Sequence, residues 1–170
     1  PQKGADQEMV ALLDKGLRNF AEVILRFNAK DIARVPGAGA AGGMGAGLMA
    51  LLNARLTKGI DVVLDAIHFD DFIMGSDLVV TGEGRIDYQT LMGKAPGGVL
   101  ERATAQSIPT IAIGGCICWC RELRESNFKE IICINPDNLP ETQAMQHDIA
   151  MKNVRQAGRQ VATITLLGKS

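Results

Sequence analysis

Aromatic residues are scarce: the 170 residues include one Trp, one Tyr and five Phe. That leaves no platform of rings for stacking bases. A formal net charge of −1 provides no basic surface for nucleic acid or an anionic membrane, so neither is expected as a partner. Only two histidines occur, His68 and His147. Each reads as a helix position with no Ser or Cys at a recognisable spacing, so neither is expected to be catalytic. No apolar run is long enough to cross a bilayer. The C-x2-C pair of a zinc ribbon is also missing: Cys116, Cys118 and Cys120 run as C-x-C-x-C, and Cys133 stands apart. Alternate residues of a strand share a face, so the three are expected as reduced structural thiols lining a wall, in keeping with a cytoplasmic protein. A metal or redox role is the competing reading. The chain opens on Pro1-Gln2-Lys3-Gly4 with neither an initiator Met nor a signal-peptide pattern, which predicts a fragment or processed piece.

What the chain has in excess is clustered glycine, within a composition otherwise ordinary for a globular protein (46% hydrophobic, 22% charged). The length suits one domain or two small ones. Asp6 reads as an N-cap, followed by a helix to about Asn28 with a core-facing stripe of Met9, Leu13, Leu17, Phe20, Ile24 and Phe27. Met44, Leu48, Leu52 and Leu56, with Leu51, predict a second helix that emerges from the glycines and stops at Gly59. Next, "GIDVVLDAI" reads as a strand turning helical at "HFDDFIMGS". "SDLVVTGEG" reads as a strand, "GGVLERATAQSI" as a helix, and "PTIAIGG" and "KEIICIN" as strands. The tail from Leu139 to about Leu167 reads as helical, with a stripe of Met145, Ile149, Val154, Ala157, Val161 and Ile164. Apolar strands alternating with helices predict an α/β fold with a Rossmann-like parallel sheet covered on both faces, preceded by a helical, strand-free segment.

Two stretches carry chemistry. In "VPGAGAAGGMGAG", Gly37, Gly39 and Gly42 match G-x-G-x-x-G. The dinucleotide fingerprint also needs a buried strand beforehand, and "NAKDIARV" is half polar. No Lys-Ser/Thr pair follows, so the stretch is not a Walker loop either. What remains is a helix start among small residues, where uncovered N–H groups suit an anion. Close Gly/Ala packing between helices is the alternative.

The second stretch is "VVTGEGRIDYQTLMGKAP". Ligands of open α/β sheets sit beyond the carboxyl ends of the strands, where Thr81, Gly82, Glu83, Gly84, Arg85 and Asp87 fall. Gly82 and Gly84 are expected to supply positive φ for a sharp turn. If the segment is extended, Glu83 and Asp87 lie about 13 Å apart and act separately. If it coils, they face each other at about 6 Å and share one cation. Lys94, before a Gly-rich helix start, is placed to neutralise a phosphate; a surface lysine is the ordinary alternative. Thr81, Gln89 and Thr90 are available as hydrogen-bonding groups, while Tyr88 and Trp119 read as packing or rim residues.

"PQKGA" at residues 1–5, "PGAGAAGGMGAGL" at 36–48, "TGEGRID" with Gln89 at 81–89 and "GKAPGGV" at 93–99, taken in that order, resemble the bacterial glycerate kinase family. The similarity is to the glycerate 2-kinase type, not to the P-loop or ribokinase-like glycerate kinases. It implies a kinase that uses ATP and Mg²⁺ to phosphorylate D-glycerate to 2-phosphoglycerate. It also implies a parent about twice this length, with a Rossmann-like domain built from both chain ends, a second α/β domain inserted in it, and a cleft between. Residues 1–60 would then end the inserted domain, and 61–170 would be the carboxyl-terminal part of the Rossmann-like one, with an amino-terminal half missing. Within that resemblance, Gly37, Gly39, Gly42, Gly43 and Gly45 form one wall for an anion. Arg85 and Lys94 stabilise phosphate or carboxylate charge. Asp87 is the base or a Mg²⁺ ligand, and Glu83 is the second metal candidate. Thr81, Gly82, Gly84 and Gln89 complete the contacts. The stretch "GGCICWCRELRESNF" departs from the family pattern beyond Gly115. A dehydrogenase nucleotide domain and a catalytically inactive binding module are the rival readings.

Overall fold

The sheet is short and all parallel: β1 (Val79–Ile86), β2 (Thr110–Ile117) and β3 (Glu130–Cys133) lie in the order β1-β2-β3. The computed structural model describes residues 4–167, without the side chain of Leu167; Pro1, Gln2 and Lys3 of the "PQKGA" motif lie outside the described residues. The chain divides into two compact units, Pro1–Thr57 and Lys58–Ser170.

The first unit is helical. Helix α1 (Gln7–Asn28) starts at Asp6, whose carboxylate accepts from the Met9 N–H at 2.8 Å, and ends at a left-handed Ala29. Helix α2 (Ala40–Leu52) is bent in its first turn. Ala41, Gly42 and Gly43 are all left-handed, with φ of 51°, 68° and 87°, so regular helix begins at Met44. Glycine tolerates that conformation without the Cβ clash that other residues meet. Ala41 shares it, so the bend is strongly imposed by its surroundings. A left-handed Asn53 closes α2. Lys30 then donates to the Met49, Ala50 and Asn53 oxygens, placing a cation at the negative end of the helix. The core of this unit is small: Ile24, Ile32, Ala38, Ala46 and Ala50.

Both amphipathic stripes expected here need correction. Of the α1 stripe only Ile24 is buried and Leu17 half-buried; Met9, Leu13, Phe20 and Phe27 are exposed. On α2, Met44, Leu48, Leu51 and Leu52 are exposed, as is Leu56 beyond it. Gly59 is not a helix stop but the first residue of α3 (Gly59–Ala66).

The second unit begins with that helix, where a strand was expected. Ile60, Val62 and Val63 favour strands by type, but burial of Leu64 and packing of Ile60 against Gly98 hold the segment helical. Helix α4 (Phe69–Ile73) follows, its N-cap His68 left-handed at φ 52°. The α3–α4 pair is tied to α5 (Ala95–Ala105) by Arg102, which bonds Asp65 at 2.5 Å and Asp70 at 2.7 Å. Beside α4 and α5, Ile73, Val79, Ala103 and Ile108 pack together. Ile111, Ile132 and Ala157 form a separate cluster with Val161 and Ile164 of α8 (His147–Leu167). Val79 and Ile111 lie at opposite parity in the β1–β2 register, so these clusters mark the two faces of the sheet. Short helices α6 (Arg121–Arg124) and α7 (Glu141–Ala144) complete the unit. The predicted tail helix is therefore interrupted once, and its stripe is partial. Ala157 is buried, but Met145 and Val154 are exposed.

Candidate active site

The site builds from the end of β1. Gly82 and Gly84 lie inside the strand with no positive φ, contrary to expectation. Gly82 is needed for closeness instead: a Cβ there would stand 2.6 Å from the Ile113 carbonyl oxygen. Beyond Ile86 the chain turns at Asp87 into a single 3-10 turn, Tyr88–Leu91. Asp87 caps that turn, its carboxylate accepting from the Gln89 N–H at 2.9 Å, while its own N–H donates to the Thr90 hydroxyl at 3.1 Å. Thr90 is completely buried, and its hydroxyl donates to the Glu83 carboxylate. One side chain thereby links the strand carboxylate to the turn.

Lys94, the N-cap of α5, closes the cluster. Its ammonium lies 3.7 Å from Glu83 Oε2 and 3.5 Å from Asp87 Oδ1. The strand is extended, yet the two carboxylates share one cation, because the turn after Ile86 brings Asp87 back toward Glu83. Neither expected geometry holds alone. At 19% exposure for each carboxylate and 35% for the lysine, the pairing is partly shielded from solvent. Gly97 sets the approach: a Cβ there would sit 2.2 Å from the Thr90 carbonyl oxygen, so only glycine lets α5 start against the turn.

The other expected residues are placed as follows. Arg85 is exposed, makes no ion pair among the described residues, and stands opposite Cys116 across the β1–β2 ladder. Thr81 is half-buried opposite Ala112. The Gln89 side-chain amide donates to the Tyr88 hydroxyl at 3.1 Å. Gly37, Gly39, Gly42, Gly43 and Gly45 lie in the first unit. There Gly42 and Gly43, with Phe20, Met44, Leu48 and Leu52, line an open groove of about 610 Å³ that carries no charged side chain. No strand precedes Gly37 among the described residues, so the dinucleotide-fingerprint context is absent.

Sequence reasoning undervalued Thr90 and Gly97. The signal for Thr90 was the D-x-x-T spacing of a capping box, whose reciprocal bonds both form. The cysteines do not line a buried wall: all four are free, Cys116, Cys118 and Cys133 are exposed, and Cys120 is half-buried. Among the described residues no group of three or more His, Cys, Asp or Glu is arranged to hold a metal ion. No helix among them is long and apolar enough to cross a membrane.

Comparison with known proteins gives one consistent family. Residues 1–166 match the glycerate kinase family. A glycerate kinase of Bacillus cereus is 42% identical over 164 residues, covering 96% of this chain and 42% of its own. The glycerate 2-kinase of Escherichia coli is 49% identical over 117 residues, covering 69% of this chain and 31% of its own. The crystal structure of a protein assigned as glycerate kinase 2 from Salmonella typhimurium LT2 superposes with a TM-score of 0.67 at 38% identity, over 99% of this chain and 43% of that one. The chain thus spans less than half the length of these relatives.

Proposed function

Because the chain belongs to the glycerate kinase family, we propose that it is the carboxyl-terminal part of an enzyme that transfers the γ-phosphoryl group of ATP to a hydroxyl of D-glycerate, giving 2-phosphoglycerate. In this reading residues 1–60 end an inserted α/β domain and residues 61–170 belong to the Rossmann-like domain. The missing amino-terminal half is the obligatory partner, and the enzyme works in the cytoplasm, where four unpaired thiols are at home.

The observation that carries the reading is the convergence of Glu83 and Asp87 on one ammonium at the carboxyl end of a parallel strand. Phosphoryl transfer needs carboxylates, fixed cations and a group to receive the hydroxyl proton. Asp87 takes the proton of the attacking glycerate hydroxyl as its oxygen bonds to phosphorus and ADP leaves. Lys94 and Arg85, which makes no ion pair among the described residues, hold phosphate or carboxylate charge. The same two carboxylates suit Mg²⁺: they already share one cation, their oxygens are hard donors, and phosphates and water complete such sites. Glu83 and Asp87 would hold the ion, which when bound offsets phosphate charge. Gly37, Gly39, Gly42 and Gly45 bind an anion through backbone N–H groups, Gly43, whose own N–H donates to the Gly39 carbonyl at 3.2 Å, lies beside it in the same wall, and Thr81, Gly82, Gly84 and Gln89 contact the ligand beside Glu83.

The test is ADP release with D-glycerate, run on this chain and on the full-length enzyme, with Asp87→Asn in the latter. The full-length enzyme is expected to turn over and the Asn variant to fall by about 100-fold or more. Turnover of the variant within threefold of wild type removes Asp87 from the chemistry. Absence of D-glycerate-dependent ADP release by the full-length protein overturns the kinase reading.

A further inference from the structure

The carboxyl ends of β2 and β3 are joined to α8 by two asparagine side chains that have no part in the chemistry described so far. We propose that Asn135 and Asn153 are positioning residues for the phosphoryl-transfer site, an inference that rests on the kinase reading. Their amides hold the end of β2, and through it the stretch of β1 that carries Glu83 and Arg85. β3 ends at Cys133, and the Ile134 N–H still donates to the Gly114 oxygen at 2.9 Å. The next donor in that register, two residues on, falls at Pro136, which has no N–H. The Asn135 side chain takes over, its Nδ2 donating to the Gly115 oxygen at 2.7 Å. Asn153 Nδ2 donates in turn to Asn135 Oδ1 at 3.0 Å.

The relay runs in one direction. A carbonyl oxygen only accepts, so Asn135 turns its NH2 to Gly115 and its Oδ1 to Asn153, which must donate. Asn153 is 6% exposed and lies one turn before the buried Ala157. Ala157, Val161 and Ile164 already hold α8 to the sheet by apolar packing. An apolar residue at position 153 would extend that contact with no amide to satisfy, so docking of the helix does not account for a buried asparagine. The Cys133 thiol stands 3.7 Å from the same Gly115 oxygen, but it is a weak donor and also meets the Asn135 carbonyl at 3.4 Å.

What the relay holds is the seam between β1 and β2. A Cβ on Gly115 would stand 2.8 Å from the Gly84 oxygen, so the strands meet there through bare backbone. Gly84 lies between Glu83, paired with Gly114, and Arg85, paired with Cys116. A displaced Gly115 carbonyl therefore moves the backbone on which both charged side chains stand. Glu83 has little slack: the Lys94 ammonium is 3.7 Å away, and the Thr90 hydroxyl donates to the same carboxylate. Misplacing reacting groups by about 1 Å costs up to about 100-fold in rate.

The experiment is steady-state ADP release by the full-length enzyme, with ATP and D-glycerate varied in turn, for wild type, Asn135→Ala, Asn153→Leu and the double variant. Thermal unfolding is followed alongside, and rates are read at a temperature where every variant is folded. Each single variant is expected to lose about 10-fold or more in kcat, with both KM values within about threefold of wild type. The double variant should fall no further than Asn135→Ala, because the two residues act through one chain. Folded variants with kcat within about twofold of wild type overturn the proposal, however far Tm drops, since the relay then only docks α8. Losses that multiply in the double variant, or a rise in KM with kcat unchanged, overturn it as well. If Asn153→Leu does not fold, the kcat of Asn135→Ala, at a half-buried position past the end of β3, decides alone. A wild type without D-glycerate-dependent ADP release removes the kinase reading and this inference with it, whereas an active wild type with unaffected variants removes the inference alone.

Discussion

Thr90 joins the two carboxylates of the candidate site more tightly than any charge does. Its hydroxyl donates to Glu83 and accepts from the Asp87 N–H, and nothing of it reaches solvent. Removing one partner of a buried hydrogen bond leaves the other with its desolvation cost, about 1–3 kcal/mol and more for a charged group. Thr90→Val keeps the shape and removes both bonds. It is expected to lower stability by about 2–3 kcal/mol in urea denaturation, whereas Thr90→Ser, which keeps the hydroxyl, costs about 1 kcal/mol or less. A larger loss for Thr90→Ser than for Thr90→Val would show that the methyl group, not the hydroxyl, holds the turn. The ion pairs of Lys94 differ from this bond: at 35% exposure the lysine remains hydrated, so its contribution lies in positioning charge more than in stability.

At the scale of elements, the start of α5 is fixed by absent side chains. A Cβ on Gly97 would press on the Thr90 backbone, and one on Gly98 on Ile60, so the helix settles against the turn and α3 through bare backbone. Gly158, in α8, meets nothing within 4 Å. Gly97→Ala is therefore expected to cost about 2 kcal/mol or more, as overpacking against backbone does. Gly158→Ala in the same unit should stabilise by about 0.5–1 kcal/mol, the helix preference of alanine over glycine. Thermal unfolding of both variants checks this; a neutral Gly97→Ala would mean that α5 can shift freely. The sequence was informative wherever local and tertiary demands agreed. The strands of the sheet and α5 were legible because short apolar runs are bounded by glycine and proline. The segment at Ile60 was misread because its β-branched residues pack as a helix through Gly98, some forty positions away. Glu83, Asp87 and Lys94 stood out in the sequence as charged residues close together along the chain, but not as a geometry. Periodicity alone does not reveal that a capped turn returns Asp87 to the cation held by Glu83.

For the whole molecule, the two units differ in what each can bury. The first rests on five buried apolar residues, three of them alanine, while Leu12, Phe27 and Leu52 are each at least 70% exposed. The second encloses Ile86, Ile111, Ala112 and Leu123 at 2% exposure or less. Stabilisation by burial scales with apolar area, at about 25 cal/mol per Å², so alanine-rich contacts contribute little each. Units this unequal open at different free energies. Native-state hydrogen exchange of the 170-residue chain is therefore expected to show α1 and α2 amides exchanging by low-energy opening. The β2 amides, hydrogen-bonded on both sides in the middle strand, should exchange only near global unfolding of their unit. The ratio of protection factors is expected to exceed about 100, equivalent to a difference near 2.7 kcal/mol in opening free energy. Equal protection of α1 and β2 would mean that the chain unfolds as one cooperative body and that the small core of the first unit does not limit it. If the gap closes when the rest of a full-length family member is supplied, the exposed apolar faces of α1 and α2 are the surfaces which that longer chain covers.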